Sequence, residues 1–178
     1  MKEMIFWGAT GQAKVLRECM KDAMMRLIAL FDNNENLVSP FADVPLYFGK
    51  KGFEDWITKR ATSDSVGFLV AIGGDKGKDR IEIQEYLESY GLVALLAKHS
   101  TAFIADNVKI GAGSQVLANS TVCVETIIGR GCIMNTGAIV DHECRIANCC
   151  THGHGTFKSE RLDPFENDIP YDWAVKHQ

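Results

Sequence analysis

Eight hexapeptides follow one another from Ile104 to Thr151 without a break in phase. Their first positions are Ile104, Ile110, Val116, Val122, Ile128, Met134, Val140 and Ile146, all aliphatic. Their fifth positions are mostly small: Val108, Ser114, Ser120, Thr126, Cys132, Ala138, Cys144 and Cys150. A period of six matches neither the 3.6 of a helix nor the 2 of an ordinary strand. It matches a β-solenoid with three flat faces per coil, in which one aliphatic side chain per face points inward and a small residue near each corner lets the chain turn. At three hexapeptides per coil the run makes about two and two-thirds coils. Second positions occupied by Gly111, Gly129, Asn135 and Asp141 are the expected places for positive φ at the corners. No Asn-Gly hairpin turn of the kind an antiparallel sandwich requires interrupts the run.

Residues 1–98 follow a different pattern. Met4 to Trp7 predicts a buried strand, Gly8-Ala-Thr-Gly11 a tight turn, and Gln12 to Met25 a helix with Val15, Leu16, Cys19 and Met20 on its apolar side. Leu27 to Phe31 predicts a second strand ending at Asp32, and Val66 to Ile72 another ending at Gly73. A helix from about Lys78 to Ser89 and an apolar stretch, Leu92 to Leu96, complete the unit. Asn33 to Lys51, with Pro40 and Pro45, reads as a loop with room for one short strand. Such alternation is a small Rossmann-like parallel α/β subdomain, whose ligands bind beyond the carboxyl ends of the strands, here Gly8, Asp32 and Gly73. The expected organisation is therefore 1–98 for this subdomain, 99–155 for the β-helix and 156–178 for a non-repetitive tail.

Composition narrows the choice of partners. With 46% hydrophobic residues in 178, the chain can bury a real core. A formal charge of −4 disfavours nucleic acid or an anionic membrane as partner, since either selects a basic face. Met1 to Phe6 lacks the regions of a signal peptide, and the longest apolar run, Val66 to Ile72, is too short to span a bilayer. A cytoplasmic protein with six thiols is the expectation.

Two places can carry chemistry. Gly8-Ala-Thr-Gly11-Gln-Ala13 can let backbone N–H groups approach a phosphate, with Asp32 where a ribose-binding acid would lie, or it can be a tight turn that binds nothing. On the solenoid, His142 sits at the third position of its hexapeptide, directly before Glu143. A neutral imidazole can accept a proton near pH 7 and a carboxylate can orient it, although an exposed His-Glu pair is more often simply solvated. Cys144, Cys149, Cys150, His152 and His154 crowd the same region, but their spacing follows no zinc pattern and core filling explains the cysteines more simply, so no metal is expected.

Gly-Ala-Thr-Gly11, Val-Ala-Ile-Gly73, Lys98-His99-Ser-Thr-Ala and Asn135-Thr-Gly-Ala-Ile-Val-Asp-His142-Glu143 occur in that order. Together they resemble the sugar O- and N-acetyltransferases of the sialic-acid (NeuD) and bacillosamine (PglD) type, over about residues 4 to 150. The resemblance implies a left-handed β-helix homotrimer, with the α/β unit binding a nucleotide sugar and acetyl-CoA lying along the helix between subunits. It implies His142 as general base, Glu143 raising its basicity and Asn135 helping to form the site. Gly8, Thr10, Gly11, Gln12, Asp32, Asn33 and Gly73 would contact the nucleotide sugar. The coenzyme-contacting position falls on Thr151, with His152 one residue later.

Two departures stand out. Gln12 replaces the family's histidine, and beyond Thr151 the family's further coenzyme-binding hexapeptides give way to Lys158 to Gln178, which keeps no six-residue period and places Glu160 one coil beyond His142. That tail is either a cap on the solenoid or an out-of-frame ending. Three readings follow: an acetyl-CoA-dependent acetyltransferase, an impaired relative that still binds sugar nucleotide, and a nicotinamide-dependent sugar-nucleotide enzyme suggested by Gly8-Ala-Thr-Gly11 alone.

Overall fold

The computed structural model describes residues 2–60, 65–155, 157–158 and 174–175, the last four through their backbone alone. The first part is a five-stranded parallel sheet in the order β3-β2-β1-β4-β5. Its elements are β1 (Lys2–Trp7), α1 (Gly11–Cys19), β2 (Met25–Asp32), β3 (Leu46–Phe48), α2 (Gly49–Thr58), β4 (Gly67–Val70), α3 (Gly77–Ser89) and β5 (Val93–Ala94). Strand alternation sorts the side chains onto two faces. Met4, Phe6, Leu30 and Leu69 pack with Ala13, Leu16 and Cys19 of α1. Ile5, Trp7, Phe31 and Phe68 pack with Phe53 of α2 and Ile83 and Leu87 of α3.

Three local expectations are corrected. The helix α1 stops at Cys19 rather than reaching Met25, and Val15 is 42% exposed while Ala13 takes the buried position. The segment Asn33 to Lys51 holds one short strand, β3, as allowed for, but its last residues already belong to α2. The first turn of α2, Gly49-Lys-Lys-Gly52, combines two poor helix formers with two cations at the positive end of the helix dipole, which hides it from pattern reading.

The second part is a parallel β-helix of two-residue strands with three faces. One face stacks β6 (Ala97–Lys98), β9 (Gln115–Val116), β12 (Ile133–Met134) and β15 (Thr151–His152). The next stacks β7 (Phe103–Ile104), β10 (Thr121–Val122), β13 (Ile139–Val140) and β16 (Phe157–Lys158). The third stacks β8 (Lys109–Gly111), β11 (Ile127–Ile128) and β14 (Arg145–Ile146), with β17 (Ala174–Val175) antiparallel to β8. The six-residue phase thus extends one strand before Ile104, at Lys98, and through His152 to Lys158. Polar residues at those three first positions conceal it.

The first-position aliphatics from Ile110 to Ile146 are at most 2% exposed and form one core. The corners turn elsewhere than expected. Positive φ falls on the fourth positions, every one from Gly113 through Asn119, Glu125, Gly131, Gly137, Glu143 and Cys149 to Gly155. Gly111 is needed for a different reason: a Cβ there would lie 2.5 Å from the Gly129 carbonyl carbon of the next coil.

The α/β unit covers the first face. Outward residues Ala97 and Ile133 join the α1-side core, and Gln115, 0% exposed, donates from Nε2 to the Val70 carbonyl at 2.8 Å. On the second face the outward Phe103 and Ile139 remain 59% and 38% exposed.

Candidate active site

A cleft of about 550 Å³ opens beyond the carboxyl ends of β1, β2 and β4. Gly8, Thr10, Asp32, Asn33 and Gly73 line it, joined by Lys76 and Asp79 at the start of α3. The last two were missed by sequence reasoning, because a charged pair at a helix start reads as solvated surface. Gly8 adopts φ +112 and its Cα faces the Ala71 carbonyl, so the turn brings β1 and β4 together at the floor.

The turn's first amides are already committed. Gly8 N–H donates to the Phe31 carbonyl at 2.7 Å and Ala9 N–H to Asp32 Oδ2 at 2.9 Å. Asp32 Oδ1 accepts the Asn34 N–H at 2.9 Å. These two amides are therefore not offered to a phosphate, and the Asp32 carboxylate braces the loop that borders the cleft. Gly11 begins α1. Gln12 turns toward the solenoid, where its Nε2 donates to Gln115 Oε1 at 2.7 Å.

The solenoid residues occupy its corners. His142 follows β13 at the corner between the second and third faces, which a three-sided coil places opposite the first face and the α/β unit. Its side chain is 62% exposed, with Nδ1 2.8 Å from Asp141 Oδ1. The same oxygen accepts the His142 backbone N–H at 2.8 Å, and these contacts hold the Asp141 carboxyl below its ordinary pKa. Asp141 thus places a carboxylate on the imidazole, where sequence reading had placed it only as a turn residue. Glu143 takes the positive-φ corner position, its N–H donating to the Val124 carbonyl at 2.9 Å.

Asn135 lies on another corner, between the first and second faces, and its Nδ2 donates to the His152 carbonyl at 2.9 Å. The Thr151 hydroxyl donates to the Gly74 carbonyl at 2.7 Å and accepts from Arg80 Nη2 at 2.7 Å. Within one chain, then, His142 is not brought to the strand-end cleft, and Asn135 and His142 stand on separate corners. Among the described residues no three His, Cys, Asp or Glu side chains converge as a metal site, and no helix is long and apolar enough to cross a membrane. Glu160 lies outside the described residues.

Solved structures share this arrangement. A histidine-to-alanine variant of GDP-perosamine N-acetyl transferase from Caulobacter crescentus, in complex with CoA and GDP-perosamine, superposes with TM-score 0.77 at 24% identity, over 88% of this chain and 71% of that one. PerB from the same organism, with CoA and GDP-perosamine, gives TM-score 0.73 at 25% identity, covering 85% and 68%. The acetyltransferase domain of PglB from Neisseria gonorrhoeae, in complex with acetyl coenzyme A, gives 0.74 at 21% identity, covering 89% and 73%. The chain has the fold of the hexapeptide-repeat sugar acetyltransferases. No protein-family model and no curated protein matches its sequence.

Proposed function

We propose that this protein is an acyltransferase that moves the acetyl group of acetyl-CoA to an amine or hydroxyl of a nucleotide-linked sugar. The observation that carries this reading is the Asp141–His142 pair on a solenoid corner, in a fold shared with sugar N-acetyltransferases solved with CoA and GDP-perosamine. With Nδ1 held against Asp141, the His142 imidazole is the base that serves the acceptor. As the sugar nitrogen or oxygen bonds to the thioester carbon, His142 takes its proton; as the C–S bond breaks, the imidazolium returns that proton to the leaving sulfur.

The Rossmann-like unit supplies the sugar-nucleotide cleft, with Gly8, Thr10, Asp32, Asn33 and Gly73 around it and Lys76 as a cation for the phosphates. Gly11 and Gln12 act from behind the cleft. Because His142 lies on the far side of the solenoid from that cleft, the acceptor reaches it from another copy. A homotrimer of left-handed β-helices associating through the second face, with Phe103 and Ile139 on it and the half-exposed Val124 at its corner, provides that arrangement. Asn135 and Glu143 then border the groove between copies, with the coenzyme along the coils near His152. Six free thiols suit a cytoplasmic location.

A second reading has its own observation. Thr151, which the resemblance marks for the coenzyme, spends its hydroxyl on Gly74 and Arg80. A relative that binds sugar nucleotide but holds acetyl-CoA poorly would look like this. Calorimetry with acetyl-CoA and with GDP-perosamine, followed by a thiol-release assay over a set of amino-sugar nucleotides, separates the two. Binding of both ligands with thiol release supports the transferase; sugar-nucleotide binding alone supports the impaired relative; binding of neither refutes both.

A further inference from the structure

The segment after β4 walls the cleft through Ala71, Ile72 and Gly73, and alternate carbonyls along it are held from the solenoid side. The Val70 carbonyl accepts from Gln115 Nε2 at 2.8 Å. The Ile72 and Gly74 carbonyls accept from Arg80 Nη1 at 3.3 and 3.1 Å, and Gly74 accepts also from the Thr151 hydroxyl at 2.7 Å. Arg80, on α3, reaches on into the coils: Nε donates to the Gly131 carbonyl at 2.9 Å, and Nη2 to the Cys149 carbonyl at 2.9 Å and to Thr151 Oγ1 at 2.7 Å. Arg80 is 1% exposed, and these hydrogen-bond acceptors are all uncharged.

Burying a guanidinium among neutral acceptors is an inefficient way to add stability, since an apolar side chain of similar volume does as well or better. What the planar fork supplies is direction, because several donors at fixed angles define where each carbonyl must lie. We propose that Arg80 and Thr151 are a positioning pair that sets the shape of the sugar-nucleotide cleft from the β15 rung of the solenoid. The consequence is that residues far from the acceptor's reacting atom decide how tightly its nucleotide is held. This rests on the strand-end cleft being the sugar-nucleotide site.

The test uses the full-length protein with Thr151→Val and Arg80→Lys. Glu88→Gln is the control, since it weakens another α3-to-solenoid contact, the Arg130–Glu88 ion pair, without touching the wall. Amide hydrogen exchange over residues 71–76 is measured without ligand, and GDP and UDP affinities by calorimetry. Both wall variants should exchange at least about tenfold faster over 71–76 and bind the nucleotide about tenfold more weakly, the loss of one to two hydrogen bonds, while the control changes neither. Unchanged exchange in Thr151→Val, or an equal loss of affinity in Glu88→Gln, overturns the proposal. If the unmutated protein binds neither GDP nor UDP, the cleft reading is what fails, the proposal falls with it, and the exchange data still decide whether the clamp exists.

Discussion

Two glycines of one turn should respond to alanine with opposite signs. At Gly8, φ is +112 and an added Cβ would lie 2.8 Å from the Ala71 carbonyl carbon, with the oxygen nearer still. Ordinary contact begins near 3.4 Å, so the β4 end must retreat by about 0.6 Å or more. That retreat strains the 2.6 Å bond from Ala71 N–H to the Trp7 carbonyl in the centre of the sheet. The disfavoured backbone conformation costs about 1–3 kcal/mol and the weakened buried hydrogen bond about 1 kcal/mol more. Gly8→Ala should thus destabilise by about 2–4 kcal/mol, which for a chain of this length lowers Tm by about 5–15 °C. Gly11 opens α1, has no positive φ, and an added Cβ meets nothing within 4 Å. Gly11→Ala should be neutral or stabilise by up to about 1 kcal/mol, through the reduced freedom of the unfolded chain and better helix propensity. Thermal and urea denaturation followed by circular dichroism measure both. A Gly8→Ala protein melting within about 2 °C of the parent would refute the close β1–β4 approach at the cleft floor.

His142→Ala should lower turnover by about 10² to 10⁴ and leave sugar-nucleotide affinity nearly unchanged, as read by steady-state kinetics beside calorimetry. Asp141→Asn should reduce turnover less and move the acidic limb of the rate profile to lower pH, since the carboxylate that favours the imidazolium is gone; an unmoved limb would reassign Asp141 to the turn. Glu3, bonded by Arg60 and Arg26, is held below its ordinary pKa of 4.5, so its folded form prefers ionisation. Its contribution to stability is present above that pH and lost as pH falls through the lower folded value, so Glu3→Gln should flatten the acid side of a Tm-against-pH curve. Burial pushes the Cys132 thiol well above its ordinary value of 9, so Ellman's reagent at pH 8 should leave Cys132 unmodified until the protein is unfolded.

The coiled part of the chain was legible because its code is local. An inward aliphatic every sixth residue requires only that each coil rest on the next, so Ile110 through Ile146 could be assigned to the core before any contact was known. The strand ends at Gly8, Asp32 and Gly73 were legible for a similar reason, since a glycine or an acid closing an apolar run marks where a strand meets its loop. Outward positions carry no such code. Gln115 and Ile133 are buried only because the α/β unit lies on their face, whereas Phe103 and Ile139, at the same repeat position on the next face, are left in solvent. Lys98, His152 and Lys158 continue the coil where the pattern loses its aliphatic signal. Arg80 looks like one more surface charge on a helix, yet the tertiary fold surrounds it with carbonyls from two units. Repetition along the chain thus determined the solenoid and the ends of the sheet strands. Which face is covered, which polar groups are buried, and that His142 stands apart from its own chain's cleft were decided only when the two units packed, since burial at a surface position depends on what lies against it rather than on its neighbours in sequence.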